Sequence, residues 1–254
     1  MDATLTNAMV RCLLVIPCFR ESERLPKFLP ALARAVEASG LDVRIRAVDD
    51  GSGAGEQAWL RDYVAGLAAA HGCVDPAQLN ERNTGKGGAV YSGWERAEGA
   101  AVLAFVDADG AVPPEEVVRL LRMAVEDPKG AVIAVRTGES GTRVVREMKR
   151  KVAGQVFRWI VRWHFGFPVP DTQCGCKAVP GAVFAEILPE LTERRFTFDV
   201  ELLWHLFRRG VRVRSVPIDW EESPGSRLQP GSALAMFRSL RALQGRLGDR
   251  GIGG

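Results

Sequence analysis

The sequence predicts an α/β domain with a mostly parallel, doubly wound central sheet flanked by helices. Two observations predict it. Short apolar runs alternate with helix-length amphipathic stretches through the first half of the 254-residue chain, and crossovers of that length join parallel strands, whereas antiparallel neighbours need only a tight turn. Polar and glycine-containing stretches also follow the runs directly, where a parallel sheet gathers its ligand-binding loops on one rim.

The first strand is "CLLVI" (12–16); Asp2 near the start and the short apolar run make the N-terminal stretch a strand rather than a signal peptide. Strands follow at "VRIRAV" (43–48), more weakly near "AQLNER" (77–82), at "AVLAFV" (101–106) and at "AVIAV" (131–135). Helical stretches around 25–38, 56–70, 86–97 and 114–125 lie between them. After Arg136 the pattern changes. A long basic helix is expected over about 143–165, then the Pro/Gly-containing connection "FGFPVPDTQCGCKAVPG". Helices near 181–188 and across 199–209, a strand at 211–218 and a last helix, "SALAMFRSLRALQGRL", complete the chain.

Composition bounds the function. With 46% hydrophobic and 26% charged residues, the chain is globular rather than disordered or fibrous. Five cysteines without CxxC spacing point to a reducing compartment, with a cytoplasmic location as the expectation. No run approaches the roughly 18 apolar residues of a membrane span. Three histidines without HxxxH spacing disfavour a zinc site. Net charge is only +3, but residues 143–162 carry +6 and residues 231–254 carry +3, which leaves the remainder at −6. Val145, Met148, Val152, Val156, Trp159, Ile160 and Trp163 recur at helical spacing among those cations. Such a helix either lies on an anionic membrane surface or packs its stripe into the core.

The polar stretches carry the chemistry. In "DADG", Asp107 and Asp109 end an apolar strand one residue apart, where like charges repel unless a cation joins them. Oxygen donors of this kind suit Mg²⁺ or Mn²⁺ bound together with substrate phosphates; the competing reading is an Asx turn or a helix cap. "RNTGKGGA" matches neither a P-loop nor a dinucleotide fingerprint, yet Lys86 and its neighbours would present positive charge and donors to a phosphate or sugar. Asp50 either binds a base or ribose or starts a turn. Asp199 reads equally as a helix N-cap and as a reacting carboxylate. Trp220, Ser226 and Arg227 lie on a Gly/Pro-containing loop suited to covering a ligand, with Arg227 a contact for a diphosphate.

Taken in order, "VIPCFRESERL", "VDDGSG", "RNTGKGGAVYSGW", "FVDADG", "DTQCGCKAV", "FTFDVELL" and "VPIDWEESPGSRL" resemble the inverting family 2 glycosyltransferases of the GT-A fold. Within them the sequence is similar to the dolichyl-phosphate β-glucosyltransferases and bacterial polyprenyl-phosphate glycosyltransferases. The resemblance spans roughly residues 10–230 and implies one domain. Its nucleotide-sugar half covers 10–136 and its acceptor-side half 137–230, followed by a basic tail at 231–254. It implies that Pro17, Glu21 and Asp50 line the nucleotide pocket, that Lys86 lies near the donor, and that Asp107 and Asp109 form the metal and diphosphate site. Asp171 and Gln173 would contact sugar or acceptor, as would Trp220; Asp199 would sit near the reacting centre, and Ser226 and Arg227 on a donor-covering loop. The implied donor is UDP-glucose and the implied acceptor a polyprenyl phosphate reached peripherally at an anionic membrane surface. Arg20 stands where many members carry asparagine, and Cys176 where they carry an aromatic residue. A soluble hydroxyl acceptor and a metal-dependent nucleotidyltransferase remain the alternatives. The carboxylates on the rim argue against nucleic-acid binding there.

Overall fold

The apolar runs become the strands of a seven-stranded sheet in the computed structural model, which describes residues 11–97, 99–137, 144–145, 161, 165–195, 197–221 and 232–247. Strand β1 (Cys12–Cys18) lies between β2 (Val43–Asp49) and β4 (Val102–Val106), parallel to both. A strand enclosed on both faces has no solvent side to present, so "CLLVI" carries no polar residue. The remaining strands of this sheet are β3 (Gln78–Leu79), β5 (Ala131–Val135), β7 (Cys176–Pro180) and β8 (Val213–Pro217), in the order β3-β2-β1-β4-β7-β5-β8. Two further strands, β6 (Val144–Val145) and β9 (Trp220–Glu221), pair with each other as a small parallel ribbon.

The strands are accompanied by the helices α1 (Leu25–Ser39), α2 (Ala54–Ala70), α3 (Lys86–Glu95), α4 (Pro114–Glu126), α5 (Gly181–Ile187), α6 (Phe198–Arg208) and α7 (Ser232–Leu247), and Val161 and Phe165 are helical as well. The two-residue alternation of β1 sorts the core into two layers. Leu14 and Ile16 pack with Leu29 and Leu32 of α1 and Leu120 and Leu121 of α4. Leu13 and Val15 turn to the other face, with Tyr91 and Trp94 of α3, Leu203 and Leu206 of α6, and Leu240 and Leu243 of α7. Trp94 is buried because its one polar atom is satisfied: the indole Nε1–H donates to the Ala104 carbonyl at 3.0 Å.

Two expectations need correction. The Pro/Gly-containing connection before residue 182 contains β7, which runs antiparallel between β4 and β5 at the centre of the sheet. Only five residues long and interrupted by Lys177, it offers too little apolar run to be seen as a strand. The basic helix does not begin at residue 143, since Val144 and Val145 are extended and paired with Trp220 and Glu221. Its residues 146–160 and 162–164 lie outside the described residues. No helix among the described residues is long and apolar enough to cross a membrane.

On α6, His205 is enclosed, and among the described residues its Nε2 has no hydrogen-bond partner. Burial lowers its pKa, only partly offset by Glu190, whose carboxylate lies 3.3 Å from Nδ1. The unfolded chain therefore takes up this proton more readily than the fold does. Stability attributable to His205 is fully present above about pH 6.5 and falls as the pH drops through the window between the unfolded and folded values. Urea midpoints measured from pH 7.5 to 5 should decline in the native protein and decline less in His205→Gln; equal slopes would assign the loss to other groups.

Candidate active site

The loops at the carboxyl ends of β1, β2 and β4 meet on one rim, and hydrogen bonds made by their first residues fix how they meet. Asp50, just beyond β2, accepts from the Thr84 amide (2.8 Å) and hydroxyl (3.0 Å) through Oδ1, and from the Gly85 amide (2.8 Å) through Oδ2. Burial raises its pKa, and these donors oppose the rise. The carboxylate thus braces the glycine-rich entry to α3. Gly51, at φ +68°, lets the two loops touch: a Cβ there would lie 2.4 Å from the Arg82 carbonyl carbon and the Asn83 nitrogen. No other residue type satisfies both the dihedral and the space.

Beyond β4, the Asp107 amide donates to the Gly175 carbonyl at 2.9 Å. The β7 approach passes so close that a Cβ on Gly175 would meet Asp107 Oδ2 at 1.9 Å. Lys86, the first residue of α3, places Nζ 2.6 Å from Asp107 Oδ1 and 5.2 Å from the centre of the Phe105 ring. Burial alone would lower the Lys86 pKa, but Asp107, with Asp199 and Asp109 behind it, raises it. Asp109 accepts from the Ala111 amide at 3.0 Å. Its own pKa is raised by burial and then by Asp107, a repulsion that a divalent cation would relieve. The two aspartates fit such an ion as hard oxygen donors. They would be two of its ligands; no cluster of three or more His, Cys, Asp or Glu able to hold a metal exists among the described residues.

The far side of the rim is built from cation–carboxylate pairs. Lys177 of β7 is completely buried and donates to the Cys174 carbonyl (2.6 Å) and to Asp199 Oδ2 (3.1 Å). Arg136, just past β5, grips Asp171 through Nε (2.7 Å) and Nη2 (3.0 Å) and lies 5.4 Å from the Trp220 ring centre. Burial alone would lower the Arg136 pKa; Asp171 outweighs it and holds it above the usual arginine value. Asp171 also accepts from the Gln173 amide at 3.1 Å, so the loop before β7 is fixed at both ends. Glu21 pairs with Arg24, and the charges of Asp109 and Asp107 also act on Arg24. Burial pushes the Cys174 thiol up to about 11, which keeps it neutral.

A model of the family described as "Glycosyl transferase family 2" matches residues 13–185. The chain belongs to glycosyl transferase family 2. It is an enzyme of nucleotide-sugar-dependent glycosyl transfer on a GT-A-like α/β fold. It is 30% identical to polyprenol monophosphomannose synthase of Mycolicibacterium smegmatis, over 99% of this chain and 94% of that one. It is 31% identical to dolichyl-phosphate beta-glucosyltransferase of Drosophila melanogaster, over 89% and 72% respectively. In fold it is similar to glucosyl-3-phosphoglycerate synthase of Mycobacterium tuberculosis, solved with Mn²⁺, UDP and glucosyl-3-phosphoglycerate. That match has a TM-score of 0.62 at 16% identity and covers 92% of this chain and 79% of that one.

Of the residues expected at the glycosyltransferase site, Lys86, Asp107, Asp109 and Asp199 fall within one electrostatic neighbourhood. Asp171 acts on both Asp199 and Arg136, and Trp220 joins through Arg136. Pro17 sits in β1 opposite Val48 of β2. Ser226 and Arg227 lie outside the described residues. Sequence reasoning missed the cations: Arg24, Arg136 and Lys177 were not singled out. The available signal was position, since Arg136 directly follows an apolar strand and Lys177 interrupts one.

Replacing Asp50 with alanine removes three acceptor contacts from the entry to α3. The expected cost is about 1–3 kcal/mol of stability, with faster hydrogen exchange at Thr84 and Gly85. Native-like exchange at those two amides in Asp50→Ala would show that the loop holds its shape without the carboxylate.

Proposed function

We propose that this glycosyltransferase moves a hexose from UDP-glucose to a polyprenyl phosphate at an anionic membrane surface, with inversion at the anomeric carbon. The observation that carries the chemistry is the Lys86 ammonium 2.6 Å from Asp107 in the turn that also holds Asp109. A cation and two carboxylates at one point are suited to receiving a diphosphate and a divalent ion together. The acceptor class rests on the names of two curated relatives, a polyprenol monophosphomannose synthase and a dolichyl-phosphate beta-glucosyltransferase.

In this reading residues 10–136 receive the donor and residues 137–230 the acceptor. The acceptor oxygen attacks the anomeric carbon opposite the diphosphate, the bond to the diphosphate breaks, and the configuration inverts. A Mg²⁺ or Mn²⁺ ion would supply charge neutralisation of the leaving diphosphate. Asp107 and Asp109 would hold it; Lys86 would add positive charge at the same oxygens, as would Arg227. A phosphate monoester has a second pKa near 6 and arrives already ionised, so it needs no strong protein base. A glucosyl donor follows the dolichyl-phosphate relative, and the relative matched over 99% of this chain favours mannose as the second candidate. Transfer to a hydroxyl is the second reading of the acceptor. It is supported by Asp199 Oδ1, which is buried without a partner among the described residues and would serve as the base.

The test combines purified protein, Mg²⁺ or Mn²⁺, labelled UDP-glucose or GDP-mannose, and a short polyprenyl phosphate. Label should pass into organic solvent only when lipid, metal and one donor are all present. Metal-dependent release of nucleotide without extractable label would replace the lipid with a soluble hydroxyl acceptor. Asp109→Ala at saturating metal should lower turnover about a hundredfold or more; unchanged turnover would remove Asp109 from the diphosphate site.

A further inference from the structure

Lys177 is the most deeply enclosed cation of the site, and sequence reasoning gave it no role. It sits in β7, opposite Phe105 of β4 and Ile133 of β5, with Nζ 5.4 Å from the Phe105 ring centre. Its ammonium is held between the Cys174 carbonyl and Asp199 Oδ2. Asp199, the second residue of α6, is buried as well, and its other oxygen has no hydrogen-bond partner among the described residues. Such an oxygen is expensive to leave unmatched, so it marks where a ligand atom belongs.

The charges around that oxygen restrict what the atom is. Lys177 faces Asp199 from β7, Lys86 acts on it from α3 and Asp171 from the loop before β7. A further cation would be repelled by two ammonium groups, one of them bonded to the same carboxylate. A phosphate oxygen would meet a carboxylate and gain nothing. A neutral hydroxyl donor matches the vacant acceptor without adding charge.

We propose that Lys177 is a positioning residue that fixes Asp199 as a carboxylate whose Oδ1 accepts a hydrogen bond from a hydroxyl of the donor hexose. This rests on the function proposed above: an acceptor phosphate brings its own nucleophile, which leaves the sugar as the source of the hydroxyl. Burial pushes the Asp199 carboxyl up, and Lys177, then Lys86, pull it back. Loss of Lys177 therefore leaves the upward push less opposed, and Asp199 takes up a proton at a higher pH.

Lys177→Met, Lys177→Arg, Asp199→Asn and the double variant Lys177→Met/Asp199→Asn would be compared with the native enzyme. Each would be assayed from pH 5.5 to 8.5 with UDP-glucose and polyprenyl phosphate, with UDP binding and thermal melting as controls. Lys177→Met should bind UDP normally, transfer at least about tenfold more slowly and move the acidic limb of the pH profile to higher pH, while Lys177→Arg stays nearer to native. A native rate and limb in Lys177→Met would overturn the inference. If that variant does not fold, the double variant, which leaves no buried charge unpaired, decides. A rate equal to Asp199→Asn supports the coupling, and a further loss overturns it. Deoxy analogues of UDP-glucose locate the hydroxyl. One analogue should react no more slowly with Asp199→Asn than UDP-glucose does, while it reacts more slowly with the native enzyme; equal discrimination of every analogue by both enzymes would overturn the donor assignment. Native activity in Asp199→Asn would overturn the inference and leave the functional reading standing, whereas no transfer to polyprenyl phosphate by the native enzyme would be a failure of the functional reading.

Discussion

The antiparallel insertion of β7 between β4 and β5 is the constraint on which the site depends. A purely parallel sheet would leave β4 beside β5, with every polar rim residue contributed by a strand-to-helix loop. Running β7 the other way brings the chain into the sheet from the rim side, so the residues just before it, Asp171 to Gly175, lie among the loops that leave β4 and β5. The Asp107 amide bonded to the Gly175 carbonyl is the point of contact, and the absence of a side chain at Gly175 leaves room for the Asp107 carboxylate. Lys177 follows two residues later, already within the sheet, and its long side chain returns the charge to Cys174 and Asp199.

That geometry explains how so many carboxylates share one rim. Asp107, Asp109, Asp171 and Asp199 would repel one another in a poorly solvated space. Lys86, Arg136 and Lys177 are interleaved with them, drawn from α3, the loop after β5 and β7 respectively. Buried pairs of this kind are weak evidence of stability, because desolvating both members offsets much of their attraction. Their consistent effect is on position: Arg136 holds Asp171 by two nitrogens and Lys177 holds Asp199 by one. Asp109 is the exception in that its strongest neighbouring charge is another aspartate, and it is there that an added divalent cation has most to neutralise.

How much of this was legible in the sequence follows from which interactions are local. Strands β1, β4 and β5 announced themselves because enclosure on both faces demands unbroken apolar runs, β2 by the alternation of Val43, Ile45 and Ala47 with Arg44 and Arg46, and the final helix matched its expected span from residue 232 to 247. Aspartates at strand ends were legible for the opposite reason, since a charge directly after such a run marks where the strand leaves the core. Strand β7 was hidden because the register of its neighbours, rather than its own composition, makes it a strand. Lys177 and Arg136 were hidden with it: a cation looks like ordinary surface until the fold supplies the carboxylate it faces. The clamp made by Asp50 was equally illegible, because Thr84 and Gly85 lie 34 and 35 residues further along the chain.

Charge also decides what kind of chemistry the two sides of the rim suit. On the side of Asp107 and Asp109, a carboxylate pair with one ammonium suits ligands that bring both anionic oxygens and a metal. On the side of Asp199, the carboxylate is already matched by Lys177 and influenced by Lys86, so an added ion of either sign is opposed and a neutral hydroxyl is not. A nucleotide sugar has both features in one molecule, a charged diphosphate joined to a ring of hydroxyls. Lys86 lies between the two sides, bonded to Asp107 and within the field of Asp199, so it connects the side suited to charge with the side suited to a neutral hydroxyl.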